Sequence, residues 1–221
     1  LKVMADFSEK NSEKLESLAQ NSADQIQKLT VSAVEEAASS QEDADLIGKI
    51  VSGASEEVIN KVITEVTKNS TEEKQALSAK VMKTIVETNP DKMETLSDEN
   101  KENIITQTIQ AAKNQSEGTS TDDLDLTNTI AEIISNSDSG TTSKILEELS
   151  NASQGTESKL SLEVVNNLTK QENYEEKMEI LEVTNPSIGN SISNLIEDAV
   201  KNATSEEDLE LVTSIAEKSK G

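Results

Sequence analysis

The chain has 221 residues, 43 of them acidic and 20 basic, for a net charge of −23, and it contains no His, Cys or Trp. All 20 basic residues are lysine, so Arg is missing too. Without imidazole or thiol there is no His/Cys metal site, no Cys nucleophile and no Ser-His-Asp relay. The acidic surface repels nucleic-acid phosphate and anionic lipid alike.

Apolar residues recur with helical spacing along most of the chain. Ile26, Leu29, Ala33 and Val34 open the series, followed by the phrase Glu-Asp-Ala-Asp-Leu-Ile at 42–47. Val58, Ile59, Val62, Ile63 and Val66 line one helix face, and Leu77, Val81, Met82, Ile85 and Val86 line the next. Ser70 to Glu73 reads as a capping box ahead of that second stripe. Pro90 and Pro186 each follow Thr-Asn and should end one helix and open another. Loops are expected over 115–121 and 136–142, with Ile130, Ile133 and Ile134 forming a stripe between them. Thr204 to Glu207 is read as a second capping box, ahead of the last stripe. Alternation is poor and aromatics are limited to Phe7 and Tyr174, so strands are not expected. The expectation is an all-α chain of about ten helices, each about 10–18 residues long.

Self-similarity is the strongest signal. The phrase at 42–47 returns as Asp-Asp-Leu-Asp-Leu-Thr at 122–127 and as Glu-Asp-Leu-Glu-Leu-Val at 207–212. Each copy has a serine upstream (Ser40, Ser120, Ser205), an anchor (Leu46, Leu126, Leu211) and an isoleucine four residues later (Ile50, Ile130, Ile215). Ile26, Leu29, Ala33 and Val34 match Ile192, Leu195, Ala199 and Val200, and an insertion is placed at Gln171 to Lys177. If the anchors are equivalent, each should be buried near a helix start with its serine at the N-cap.

The expected fold is an α-solenoid-like stack of antiparallel helix pairs with a divergent 80–85-residue internal repeat. Residues 1–221 form one array, with units at about 22–97, 98–187 and a partial 188–221. The period lacks the Trp, Gly and Tyr of tetratricopeptide repeats and the Thr-Pro-Leu-His of ankyrin repeats. Because the chain opens at Leu1 and its third copy stops in mid-unit, it is expected to be a fragment of a longer tandem-repeat protein.

Glu42/Asp43, Asp122/Asp123/Asp125 and Glu206/Glu207/Asp208 could ligate Ca²⁺, but acidic residues also collect at helix starts for dipole reasons, and EF-hand spacing is absent. Asn69, Asn114, Asn151, Asn167 and Asn202 open Asn-x-Ser/Thr triplets, a number that chance supplies at this Ser/Thr content. No catalytic, cofactor-binding or metal-ligating residue is assigned, and no cofactor or small-molecule substrate is expected. The expected function is a non-enzymatic spacer or scaffold segment of a large acidic helical-repeat protein, with an extracellular or cell-surface place favoured. Its partners would be neighbouring repeats of the same chain. The alternative is a module that binds a basic or helical peptide on a concave face.

Overall fold

A computed structural model describes residues 1–3, 5–6, 28–29, 31–37, 40–116, 125–153, 160–171, 174–185, 187–203 and 205–218. All the regular structure among them is helical, as the 3.6-residue patterning predicts. The helices are α1 (Gln41–Gly53), α2 (Glu56–Val66), α3 (Glu72–Thr88), the single turn α4 (Asp91–Glu94) and α5 (Asp98–Ser116). They continue with α6 (Leu126–Asn136), α7 (Ser139–Ser153), α8 (Leu160–Leu168), α9 (Tyr174–Thr184), α10 (Ser187–Asn202) and α11 (Glu206–Lys218). A shorter helical stretch covers 31–35. The chain forms two compact units, residues 1–107 and 108–221, and α5 contributes residues to each.

In the first unit the apolar stripes of the sequence become the core. Ile59, Val62, Ile63 and Val66 of α2 are buried, each contributing about 1.5–3 kcal/mol of apolar burial. α3 buries all five residues of its stripe and, with them, Gln75, Ser78, Lys80 and Thr84. Such all-round burial marks a central helix. It packs against α1, where Gly48 lies under Thr84 and the Ser52 and Thr88 hydroxyls are 3.1 Å apart.

In the second unit α6 packs on α8, α8 on α10 and α11, and α7 on α10. Leu126, Ile130, Ile133 and Ile134 face inward from α6, and Leu160, Leu162, Val164, Val165 and Leu168 from α8.

Both capping boxes start one residue later than expected. α3 is capped by Thr71, whose Oγ1 accepts from the Lys74 amide at 3.4 Å, while Ser70 takes the Gln75 side-chain amide at 3.1 Å. Asn69, at φ 65°, turns the chain there and delays the helix start. Asparagine tolerates that left-handed conformation better than most residues. At α11 the box is Ser205 with Asp208: the Asp208 amide donates to Ser205 Oγ at 3.1 Å, and the Ser205 amide donates to Asp208 Oδ2 at 2.9 Å. The expected loop at 136–142 shrinks to Ser137 and Asp138. Asp138 Oδ1 accepts the amides of Gly140 and Thr141 at 2.7 and 2.9 Å, which pulls Gly140 and Thr141 into α7. α3 ends at Thr88 and Pro90 stands just ahead of α4, as expected; Pro186 lies outside the described residues.

The three anchors are not equivalent. Leu46 and Leu211 occupy the sixth position of their helices and are half-buried. Leu126 opens α6 and is buried, its helix capped by Asp125, which accepts from the Asn128 amide at 2.9 Å. Ser120, the expected cap, lies outside the described residues, as do Ile26, Phe7 and residues 122–124 of the second phrase; of the loop expected over 115–121, Gln115 and Ser116 belong to α5 and 117–121 lie outside the described residues. The phrases at 42–47 and 207–212 share a cap, but the matched residues before them differ in burial: Leu29 is exposed and Leu195 buried, Val34 buried and Val200 exposed. Ser40 Oγ accepts the Asp43 amide at 3.1 Å, the same bond that Ser205 makes with Asp208.

Charge is poorly balanced within this fold. The Lys2–Glu42 ion pair, at 2.6 Å, has side chains 76% and 67% exposed, so water screens it heavily. The hydrogen bond that Lys2 donates to Glu42, and then the charge of that carboxylate, hold the Lys2 ammonium above its ordinary pKa. Such pairs offset little of a −23 net charge. Raising ionic strength from 0.01 M to 0.15 M, which shortens the Debye length from about 30 to about 8 Å, should therefore stabilise the chain. Each kcal/mol of repulsion relieved should raise Tm by about 2–4 °C in a thermal melt followed by circular dichroism.

Candidate functional site

Polar side chains inside the helix contacts form a seam that the apolar pattern does not announce. Asn60 and Thr64 are one turn apart on α2 and meet Asn100 in the first turn of α5. The Asn100 side-chain amide donates to Asn60 O and to Asn60 Oδ1, both at 2.9 Å, and the Thr64 hydroxyl lies 2.9 Å from Asn100 Oδ1. Asn60 Oδ1 also accepts the Ser97 amide at 2.7 Å, and its Nδ2 donates to Thr95 O at 3.1 Å. Asn60 thereby fixes the entry of α5. Farther along, the buried Gln107 side chain donates to Thr67 O, and its Oε1 lies 2.8 Å from the Ser78 hydroxyl.

The second unit carries a similar set. Asn167 Nδ2 donates to Thr127 Oγ1 at 3.0 Å, and Gln171 Nε2 to Asn128 Oδ1 at 3.4 Å. The Thr127 hydroxyl in turn donates to Asp125 Oδ1 at 2.8 Å, and Asn128 Nδ2 to Glu132 Oε1 at 2.8 Å. Leu126 N donates to Gln115 Oε1 at 2.8 Å, which ties the start of α6 to α5.

Three of these partnerships span 40 residues, while Thr64–Asn100 spans 36 and Ser78–Gln107 spans 29. Asn60–Asn100, Thr67–Gln107 and Thr127–Asn167 are each 40 residues apart, and Asn128–Gln171 are 43 apart. This spacing lies in polar residues, not in the apolar anchors. Sequence reasoning that followed the apolar anchors passed over it. The signal was an amide or hydroxyl residue repeated 40 positions on, inside an otherwise apolar stripe.

In the first unit amide meets amide or hydroxyl, whereas the set in the second unit ends on the carboxylates of Asp125 and Glu132. Replacing Asn100 with Ala should strip Asn60 and Thr64 of buried partners and cost about 1–3 kcal/mol. Equilibrium urea unfolding measures it, and Asn100→Asp, which keeps one acceptor but adds a buried charge, should cost at least as much.

Of the acidic clusters, that of Asp125 touches this set. Asp43, Asp125 and Asp208 are engaged in capping α1, α6 and α11, and Glu42 pairs with Lys2. Among the described residues no three Asp or Glu side chains are grouped to hold a metal ion. At fixed ionic strength, micromolar Ca²⁺ and Mg²⁺ should shift Tm equally; a shift with Ca²⁺ alone would mean a specific site. Among the described residues no helix is long and apolar enough to cross a membrane.

No protein-family model and no curated protein matches this chain. Among solved structures, one described as "Computational Design of Self-Assembling Cyclic Protein Homooligomers" is similar over 99% of this chain and 93% of its own. Its identity is 17% and its TM-score 0.25, too low to carry an argument about fold or function.

Proposed function

We propose that this chain is a non-enzymatic spacer or scaffold segment of a larger acidic helical-repeat protein, built as a solenoid-like stack of helix pairs. One observation supports it most: polar side chains join α2 to α5 and α6 to α8 at separations of 40 residues. In stacked repeats a separation recurs, because each helix meets its counterpart in the next pair. The abundance of acidic side chains suits a long repetitive chain that must stay soluble and avoid associating with itself. In a spacer, length matters and surface chemistry does not. Duplicating residues 41–125 in frame should therefore give a longer chain that still folds, with higher stability from the added interface. Replacing its exposed side chains should leave the host protein working. Loss of the fold on duplication would overturn the stack, and loss of host function from surface substitutions alone would overturn the spacer role.

A further inference from the structure

Asn69 and Ser70 lie between α2 and α3, and both are exposed. Asn69 has φ 65°, the one positive value among the described non-glycine residues. That left-handed conformation is costly for any residue with a Cβ, so leaving it relieves strain. Among the described residues no hydrogen bond holds the Asn69 side chain or the Ser70 amide. Two other Asn–Ser bonds fall in described residues, and both are tied down. At Asn136–Ser137 the Asn136 side chain donates to Glu132 O at 2.9 Å, and the Ser137 amide donates to Ile134 O at 3.4 Å. Asn190 and Ser191 lie inside α10, and Ser191 is past its first turn, so the Ser191 amide enters the helical ladder. Asn11–Ser12 and Asn21–Ser22 lie outside the described residues.

We propose that the Asn69–Ser70 bond is a self-modification site, at which the chain converts Asn69 to isoaspartate or aspartate with water as the only co-reactant. The Ser70 backbone nitrogen attacks Asn69 Cγ. The new N–Cγ bond replaces the Cγ–Nδ2 bond, and Nδ2 takes up the amide proton and leaves as ammonia. Water then opens the succinimide. Attack at Cγ restores the ordinary backbone with a carboxylate side chain. Attack at the backbone carbonyl carbon leaves Ser70 linked through Cγ and adds a methylene to the main chain. Ring closure needs an unheld side chain, an unheld amide and a small following residue, and the chain has no Asn–Gly bond to offer a freer site. It also carries Asn69 out of its left-handed conformation, a motion that an exposed turn permits. The lengthened backbone falls where α3 is set. Gln75 Nε2 donates to Ser70 O at 3.3 Å and to Ser70 Oγ at 3.1 Å, and Thr71 caps the helix. Either product adds a carboxylate to a net charge already at −23. Modification therefore loosens the start of the central helix of the first unit, and the age of the chain is written into its stability.

The test ages the full chain at mildly alkaline pH, in native buffer and in urea. Peptide mapping with electron-transfer fragmentation, which separates aspartate from isoaspartate, follows each Asn–Ser bond. In native buffer Asn69 should convert severalfold faster than Asn136 and Asn190, while in urea the three rates should converge. The aged chain should melt below the fresh one. Asn69→Gly keeps the left-handed turn without strain and has no side-chain amide to lose, so it should remove that drop. Ser70→Gly bares the amide nitrogen and should speed conversion. Equal rates at the three bonds in native buffer, or no conversion at Asn69 over a time in which the urea-unfolded chain converts, would overturn the site. An aged Asn69→Gly chain that loses as much in Tm as the parent would overturn the effect on α3.

Discussion

Replacing Leu126 with alanine should cost about 2–5 kcal/mol, whereas the same change at Leu46 or Leu211 should cost about 1 kcal/mol. The contrast follows from burial. Leu126 is 1% exposed at the start of α6, while the other two anchors are half-buried in the sixth position of α1 and α11. Alanine is a good helix former, so propensity does not add to the loss. What remains is lost apolar contact plus whatever cavity α8 fails to fill. Urea unfolding of the three single variants, followed by circular dichroism, checks it. Equal losses at all three positions would mean that the anchors share one environment after all.

That inequality also shows how far the sequence could be read. Patterning placed the helices, because Ile59, Val62, Ile63 and Val66 can share a face only at a helical period. Repetition found a shared Ser–Asp cap and a buried Ile at 40–50 and 205–215, but not a shared environment, since matched Leu29 is exposed and Leu195 buried. The middle copy misled, since Asp-Asp-Leu-Asp-Leu-Thr resembles the other phrases in composition but its helix is capped by Asp125, not upstream. A side-chain cap is decided by one hydrogen bond. Nearby Ser, Thr and Asp residues compete for it, which also explains the one-residue slips at Thr71 and Ser205. The seam of Asn60, Asn100, Thr127 and Asn167 was hidden for a different reason. Asparagine is common throughout this chain and disfavoured in helix interiors, so it reads as loop or surface until its partner 40 residues away is seen.

Gly48→Ala should destabilise the first unit by about 1–3 kcal/mol, although glycine is a poor helix former. On propensity alone the change would stabilise an interior helix position by about 1 kcal/mol. Packing decides against it. A Cβ at Gly48 would lie 2.3 Å from Thr84 Cγ2 and 2.9 Å from Thr84 Cβ. Turning Thr84 about χ1 can remove the first contact but not the second, and it would disturb the bond from Thr84 Oγ1 to Lys80 O at 2.9 Å. β-branched side chains also have little rotamer freedom in a helix. α1 and α3 must therefore move apart, loosening Ile47, Val51, Val81 and Ile85 along with them. A double-mutant cycle isolates the cause. In a Thr84→Ala background the Cγ2 clash is gone, so Gly48→Ala should cost at least about 1 kcal/mol less, within the range expected for residues in contact. Additive losses would place the strain elsewhere than the Gly48–Thr84 contact.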